Sequence, residues 1–456
     1  MWLPRVDKGT AGHPYEQAYI FKNVLIEMFD IVLGRDDSEK ESLGQEGLVF
    51  LGRLYVNMGN TTSLSNNVYL DVAKSHVILV CGKRGSGKSY TLSVIAEEIA
   101  NLPAEVKQNM AVVIFDTMGI FWSMKYPNER QRDLLARWKL KPSGLNVKVF
   151  TPIGKFQEYK DKGIDTDYGF SIQPSELSAG DWCGLFQVKL VDDIGVLIER
   201  VVSNLHGNYE IDDILKMVEK DKKSDRLIKD AVFNRFDSVK NWGLFSSEGN
   251  KFRDVVQEGR VSILDISCYT EWDVKCLVVG LVCKKLLQER MDFRKKEELK
   301  MIESGVHYFS EDEKSMPLVW MMIDEGHEFL PRKGKTLASD ALIQILREGR
   351  QPGISLILAT QQPGEIHQDV MTQADIVISH RVTAKPDIEA LNAIMHTYLT
   401  SDILSHLNQL PGHKGSAIVL DDNSERIYSF RTRPKLSWHS GESPSSVKKK
   451  KIFSLD

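Results

Sequence analysis

The sequence predicts an α/β protein with a mostly parallel sheet, a helical insertion and a small N-terminal region of strands and a helix. Three observations lead to this fold class. Short apolar runs alternate with segments of helical periodicity, a glycine-rich loop joins one run to a helix, and an acidic pair follows another run. Such runs are typical of buried parallel strands joined by right-handed helical crossovers. The predicted strands are 77–80, 111–115, 147–150, 261–266, 318–323, 354–360 and 375–379.

The glycine-rich loop lies between an apolar run and a helical segment, a context that disfavours a chance glycine-rich turn. Residues Gly82 to Ser89 match the phosphate-loop pattern G-x-x-x-x-G-K-[ST]. The glycines let backbone N–H groups turn toward a polyphosphate, and the following helix presents its positive dipole end to the same anion. We expect Lys88 to reach the β- and γ-phosphates of ATP and the Ser89 hydroxyl to ligate Mg²⁺. The predicted nucleotide-binding residues are Gly82, Lys83, Arg84, Gly85, Ser86, Gly87, Lys88, Ser89 and Tyr90.

An acidic pair, Asp324 and Glu325, follows the apolar run at Leu318–Ile323. Hydrolysis at a phosphate loop requires a metal carboxylate and a base on a second strand. We expect Asp324 to complete the Mg²⁺ shell, and Glu325 to orient and deprotonate the attacking water. An acidic pair at a strand end is also common as a solvated turn, and the complete phosphate loop favours the catalytic role.

Two further polar residues lie near predicted elements of the same sheet. Gln361 follows the strand at Ile354–Thr360, where it would sense the γ-phosphate or position the water, or merely cap a loop. Arg350 ends the helical segment that begins at Ser339. It is either a surface charge favoured by the helix C-terminal dipole or an arginine finger that reaches γ-phosphate charge.

Two regions depart from the alternation of strands and helices. The segment from Pro14 to Leu33 predicts an amphipathic helix, and the region from Glu176 to Glu258 has helical periodicity, which indicates a helical insertion. The predicted boundaries are 1–66 for the N-terminal helix and partial barrel-like region, 67–175 and 259–434 for two parts of the nucleotide-binding core, 176–258 for the insertion and 435–456 for a C-terminal tail.

Three blocks of the sequence resemble the HerA branch of the HerA/FtsK class of P-loop ATPases. They are Gly82 to Ser89, Met321 to His327 and Arg347 to Pro363. The resemblance extends from about Leu51 to about Pro434, and the stretch before Leu51 is short for the family's small N-terminal barrel. It implies a RecA-like P-loop NTPase core.

Members of this family are ring-shaped, usually hexameric, ATP-driven DNA translocases that often work with a nuclease. The resemblance therefore implies an ATP- and Mg²⁺-dependent DNA translocase or helicase, assembled as a homo-hexamer with duplex DNA in its pore and a nuclease or other effector as partner. By resemblance, Glu325 is the catalytic base, Gln361 the sensor and Arg350 the arginine near the γ-phosphate. The alternative is a regulatory or assembly ATPase that controls a bound effector protein, with DNA movement incidental.

Composition predicts a cytosolic protein, and the net charge does not identify its substrate. The net charge of −4 argues neither for nor against DNA binding, because a ring translocase shows its positive charge only on pore loops. Candidate pore loops are Gly119 to Asn128 and Arg332 to Lys335, and the basic run Lys448 to Lys451 would contact phosphates or serve as a solubilising tail. No apolar run is long enough to cross a bilayer, and the N-terminus lacks a signal-peptide pattern, so we expect a cytosolic protein.

Overall fold

One continuous sheet organises the parts of the chain that the structure describes. The computed structural model describes residues 30–58, 61–249, 252–304, 316–395 and 403–441. Within these ranges the sheet has 13 strands in the order β1-β3-β2-β13-β12-β11-β4-β10-β9-β5-β8-β6-β7. The strands are β1 Ile31–Leu33, β2 Leu48–Met58, β3 Thr61–Asp71, β4 Val77–Cys81, β5 Met110–Asp116, β6 Val147–Pro152, β7 Tyr168–Phe170, β8 Val261–Asp265, β9 Leu318–Ile323, β10 Ile354–Thr360, β11 Ile376–His380, β12 Ser416–Asp421 and β13 Arg426–Thr432.

Helices cover both faces of this sheet. Among the described residues, none of them combines the length and apolar composition that a membrane crossing requires. The helices are α1 Asp37–Leu43, α2 Lys88–Ala100, α3 Ala104–Lys107, α4 Arg132–Arg137, α5 Ile153–Asp161, α6 Ala179–Leu185, α7 Asp193–Ser203, α8 Ile211–Lys220, α9 Arg226–Lys240, α10 Phe252–Val255, α11 Trp272–Ser304, α12 Gly326–Phe329, α13 Ser339–Glu348, α14 Gln368–Gln373, α15 Lys385–Met395 and α16 Ile403–Gln409.

The eight strands from β11 to β7 in the sheet order are mutually parallel. The predicted α/β class with a mostly parallel sheet is therefore confirmed. The seven strands predicted from apolar runs all form, with ends that differ from the prediction by at most two residues. Because the carboxyl ends of parallel strands lie at the same edge of a sheet, the residues that follow β4, β9 and β10 lie together at that edge.

The central strand β4 shows why the apolar runs are continuous. Val77 and Leu79 point into one hydrophobic core, which includes side chains of α11 and α13. Ile78 and Val80 point into a second core on the other face, which includes α2. Successive side chains of a strand point to opposite faces, so a strand covered on both sides needs apolar residues at every position.

The N-terminal region differs from its prediction. Ile31–Leu33 was expected at the end of an amphipathic helix, but it forms β1 and pairs in parallel with Val68–Leu70 of β3. Residues of the expected helix before position 30 lie outside the described ranges. The β2–β3 hairpin continues the central sheet through β13, where a Cβ on Gly52 would lie 2.0 Å from the Arg431 carbonyl oxygen. The predicted helix extended too far, to Leu33, because the open edge of β3 offers Ile31–Leu33 a pairing partner.

The insertion between β7 and β8 contains α6 to α10 and packs against one face of the sheet. Its centre is the fully buried Trp182. The centroid of the Trp182 ring lies 4.9 Å from the ring centroid of Phe236 and 5.3 Å from that of Phe245. Aromatic pairs at this spacing add to the free energy gained from burying their surface. The helices predicted from the periodicity of this region are present in the structure. The boundaries at 176 and 258 remain predictions.

A buried ionic network lies at the amino edge of the parallel strands. His76 precedes β4, and its Nδ1 lies 2.6 Å from Asp375 and its Nε2 3.0 Å from Asp71. Asp71 in turn forms an ion pair of 2.6 Å with the buried Arg35. Burial opposes the charged imidazolium, but hydrogen bonds and charges from the two carboxylates outweigh it and raise the pKa of His76 to about 9.

This network predicts a loss of stability at alkaline pH. The folded protein holds the His76 proton more tightly than the unfolded chain, where the pKa is about 6.5. The stabilisation is fully present below about pH 6.5 and is lost as the pH rises through about 9, roughly 3 kcal/mol in all. Urea unfolding at the two ends of this pH range would show the fall, and His76→Gln would flatten it. The control is His206→Gln, at an exposed histidine, which should keep the parental dependence of stability on pH. The same dependence in His76→Gln would contradict the role given to His76.

Candidate active site

The phosphate loop connects the carboxyl end of β4 to the first turn of α2. Its backbone is anchored on two neighbouring strands: Gly82 N–H donates to the Thr360 carbonyl at 3.3 Å, and Lys83 N–H donates to the Arg381 carbonyl at 3.0 Å. A Cβ at Gly82 would lie 2.5 Å from the Ser86 Oγ and would clash with His380, so only glycine fits there. The sequence motif is thus folded over the ends of β10 and β11.

Lys88 lies at the start of α2 and is buried. Its ammonium donates to the Lys83 carbonyl oxygen at 3.4 Å, across the loop. Burial lowers the pKa of Lys88, and the charges of Asp324 and Glu325 oppose that effect. The loop therefore contains a cation that faces the two carboxylates predicted to act on the γ-phosphate and its metal.

Ser89 and Asp324 are in direct contact, although they are 235 positions apart in the chain. The Ser89 hydroxyl donates to Asp324 Oδ2, and Asp324 Oδ1 accepts from the Glu325 N–H at 2.9 Å. A hydroxyl and a carboxylate oxygen are the hard ligands that Mg²⁺ prefers. The residues predicted as metal ligands therefore meet at one point, and the donor set fits a magnesium ion.

Glu325 occupies an unusual backbone position beside this pair. Its φ and ψ are 55° and 45°, in the left-handed region that a non-glycine residue adopts only at some cost in energy. Its Oε1 accepts from the Gln361 side-chain amide, while its Oε2 is buried without a hydrogen-bond partner among the described residues. Burial first, and then the charge of Asp324, raise the pKa of Glu325. His327 Nδ1 lies 3.8 Å from the same Oε2. A buried carboxylate with a raised pKa and one oxygen without a hydrogen bond fits the predicted general base.

Arg350 does not lie near the other predicted catalytic residues. It precedes β10, so the length of that seven-residue strand, roughly 20 Å, separates it from Gln361 at the other end. Its guanidinium pairs with Asp375 Oδ2 at 3.0 Å, at the amino edge of the sheet. A role for Arg350 at the ATP site of its own chain is therefore excluded by position, and a role at a neighbour's site stays a prediction.

Other residues singled out from the sequence have structural contacts. Phe121, in a candidate pore loop, is buried in the core, and Lys125 pairs with Asp167 at 2.8 Å. Asp116 caps the turn after β5 by accepting from three backbone N–H groups. Its pKa is raised to about 7 by burial and then by the charge of Asp265. Of the aromatic residues in this loop, Phe121 is thus a packing residue, whereas Trp122 is partly exposed and Tyr126 is exposed.

The sequence did not predict a buried histidine, His380, that contacts the helix following the phosphate loop. His380, at the end of β11, lies 2.9 Å from the Thr91 hydroxyl and 3.1 Å from the Ser416 carbonyl oxygen. Burial lowers the pKa of His380 to about 4, so this histidine is neutral and acts as a spacer between the loop helix and β12. Its place at the end of a predicted strand, on the same edge as Gln361, was the available signal.

The predicted C-terminal tail begins too early. Lys435 and Ser437 were placed in a tail from position 435, but both are buried against α2. The buried Glu97 of α2 pairs with Arg433 at 2.9 Å and accepts from the Ser437 N–H at 2.8 Å. A charged pair of this kind fixes the returning chain on the helix, and periodicity cannot reveal it. Residues 442–456, including the basic run, lie outside the described ranges.

Comparisons with known proteins agree with this architecture. The family model described as the central domain of helicase HerA matches residues 49–286, just over half of the chain. The probable DNA double-strand break repair helicase HerA of Methanocaldococcus jannaschii is 24% identical over 357 residues, which cover 73% of this chain and 67% of the relative. The DNA double-strand break repair helicase HerA of Saccharolobus solfataricus is 23% identical over 393 residues, which cover 84% and 68% of the two chains.

A solved structure supports the fold independently of close sequence similarity. VirB4 of Thermoanaerobacter pseudethanolicus matches 85% of this chain and 96% of its own with a TM-score of 0.51 at 11% identity. At that identity the similarity concerns the fold alone. The family match, which covers more than half of the chain and includes the phosphate loop, shows that the chain belongs to the HerA helicase family of P-loop ATPases.

Proposed function

We propose that this ATPase is a DNA translocase or helicase that works as a ring, most simply a homo-hexamer, together with a nuclease or other effector. One observation carries the proposal: Lys88, Ser89, Asp324, Glu325 and Gln361 converge at one edge of the sheet, as hydrolysis requires. The HerA relatives are named as helicases of DNA double-strand break repair, which supports DNA as the substrate.

The convergent residues divide the work of hydrolysis. The loop backbone and Lys88 bind the phosphates, and Ser89 with Asp324 would hold Mg²⁺, which neutralises phosphate charge when bound. Glu325 would orient the attacking water and take its proton on Oε2 as the water oxygen bonds to the γ-phosphorus. The bond from that phosphorus to the β–γ bridging oxygen breaks in the same step, which releases ADP and inorganic phosphate. Gln361 holds Oε1 of Glu325, which leaves the other carboxylate oxygen available for water.

The position of Arg350 supports a site shared between subunits. An arginine that stabilises developing γ-phosphate charge must lie beside it, and in this chain Arg350 lies at the far edge of the sheet. Its side chain is about half exposed, 54%, and so can be presented to a neighbour. The proposal requires that the head-to-tail contacts of a closed ring bring the amino edge of the sheet in one subunit to the phosphate loop of the next.

Arg350→Ala is expected to spare ATP binding and to lower turnover by about 10³-fold or more, the effect of removing an arginine finger. Steady-state turnover and nucleotide titration would be compared with those of Arg226→Ala. Arg226 is an exposed arginine paired with Asp230 in the insertion, and its loss should change neither quantity. Parental turnover in Arg350→Ala would remove Arg350 from the catalytic set.

A mixing experiment decides whether Arg350 acts across an interface. Arg350→Ala subunits retain Glu325, and Glu325→Gln subunits retain Arg350, so a mixed ring contains some composite sites with both residues. We expect turnover in the mixture above that of either variant alone. Native mass spectrometry with a non-hydrolysable ATP analogue and DNA should show the ring, and a persistent monomer at micromolar concentration would contradict it.

Displacement of a third strand from a DNA triplex tests translocation directly. The wild-type protein should displace the strand in the presence of ATP, and Lys88→Ala should not. ATP hydrolysis without any displacement would instead favour the regulatory ATPase that controls an effector protein.

A further inference from the structure

Asp375 is the residue that Arg350 contacts, and its own position is fixed on two sides. Its Oδ1 accepts from the Val77 N–H at 2.9 Å, and its Oδ2 lies 2.6 Å from His76 Nδ1. Asp375 is almost fully buried, whereas Arg350 is half exposed. A long exposed side chain samples many rotamers, and a fixed carboxylate in contact with its guanidinium restricts them.

His76 extends this arrangement toward the N-terminal strands. Its other nitrogen contacts Asp71 at the end of β3, and Asp71 pairs with Arg35. The charges of Arg35, Asp71, His76, Asp375 and Arg350 alternate in sign along the chain of contacts when the imidazole is protonated. Four of these five residues are buried, and in a buried setting neighbouring ion pairs strengthen one another.

We infer that Asp375 is a positioning residue that holds the Arg350 guanidinium in the orientation in which it enters a neighbouring subunit's ATP site. The inference rests on the proposed role of Arg350 across the interface. Contacts through His76 and Asp71 link the N-terminal strands to this arginine.

Asp375→Asn keeps the shape of the side chain that contacts Arg350 and removes its charge. We expect its turnover to fall by about 10- to 100-fold, the range for a catalytic group displaced by about 1 Å, with the KM for ATP unchanged. The matched control is Asp369→Asn, because Asp369 pairs with Arg347 at 2.7 Å, one helical turn before Arg350. That control should retain parental turnover.

Mixing distinguishes positioning from general damage. Asp375→Asn subunits have an intact base and a misplaced arginine, so Glu325→Gln subunits should raise their turnover, as is expected for Arg350→Ala. A lesion in the variant's own ATP site would not be relieved in this way. In addition, Asp375→Asn should have no further effect on turnover when Arg350 is already alanine.

The outcomes separate this inference from the proposed function. If Glu325→Gln rescues Arg350→Ala but not Asp375→Asn, the positioning role is wrong and the shared site stands. If neither variant is rescued, the shared site itself is wrong. Should Asp375→Asn fail to fold, His76→Gln provides a second variant, because it removes one hydrogen-bond partner of the same carboxylate. A smaller fall in the turnover of His76→Gln that Glu325→Gln subunits rescue would support the inference. Parental turnover in His76→Gln would overturn it.

Discussion

Glu325→Gln is expected to bind ATP as the wild-type protein does and to hydrolyse it on the order of 10²- to 10⁴-fold more slowly, the span of a general base. The amide retains the shape of the side chain but cannot take a proton from water, while Asp324 and Ser89 remain in contact. Single-turnover hydrolysis and nucleotide titration would separate the two quantities. Glu328, a partly exposed residue in the next turn, provides the control Glu328→Gln, which should hydrolyse ATP normally.

The result would also test the division of labour between the two carboxylates. An equal loss of ATP binding and hydrolysis in Glu325→Gln would mean that Glu325 holds the nucleotide or its metal, and the assignment of Asp324 to that task would be wrong.

Lys88→Ala is expected to abolish both nucleotide binding and turnover, with a loss in turnover on the order of 10²-fold or more. The substitution removes a buried cation that faces Asp324 and Glu325, and therefore leaves the carboxylates and the phosphates without their compensating charge. Isothermal titration with ATP and a turnover assay would measure the effect. Lys216→Ala, at an exposed lysine of the insertion, is the control; ATP hydrolysis by Lys88→Ala at the parental rate would refute the phosphate-loop assignment.

The core strands and the convergent site residues could be predicted because each depends on local sequence. A strand buried on both faces must be apolar at every position, so 318–323 and 354–360 were visible as runs. Since parallel strands end at one edge, the polar residues that follow them, Asp324, Glu325 and Gln361, had to lie together. Their predicted catalytic roles remain predictions.

The missed features depend on contacts between distant parts of the chain. Ile31–Leu33 forms a strand because β3 presents an open edge, and Lys435 is buried because the returning chain is fixed on α2 by the pair of Glu97 and Arg433. The position of Arg350 followed from the helix end but its partner Asp375 did not. Pairings of this kind are set by tertiary structure and leave no periodic signal.

The measurement that tests the account most directly is the rate of ATP turnover by the assembled wild-type protein with and without duplex DNA. A motor that couples hydrolysis to movement along DNA should turn over ATP several-fold faster when duplex is added, and Glu325→Gln should stay inactive in both conditions. An unchanged rate at saturating duplex and single-stranded DNA would contradict the DNA-motor assignment.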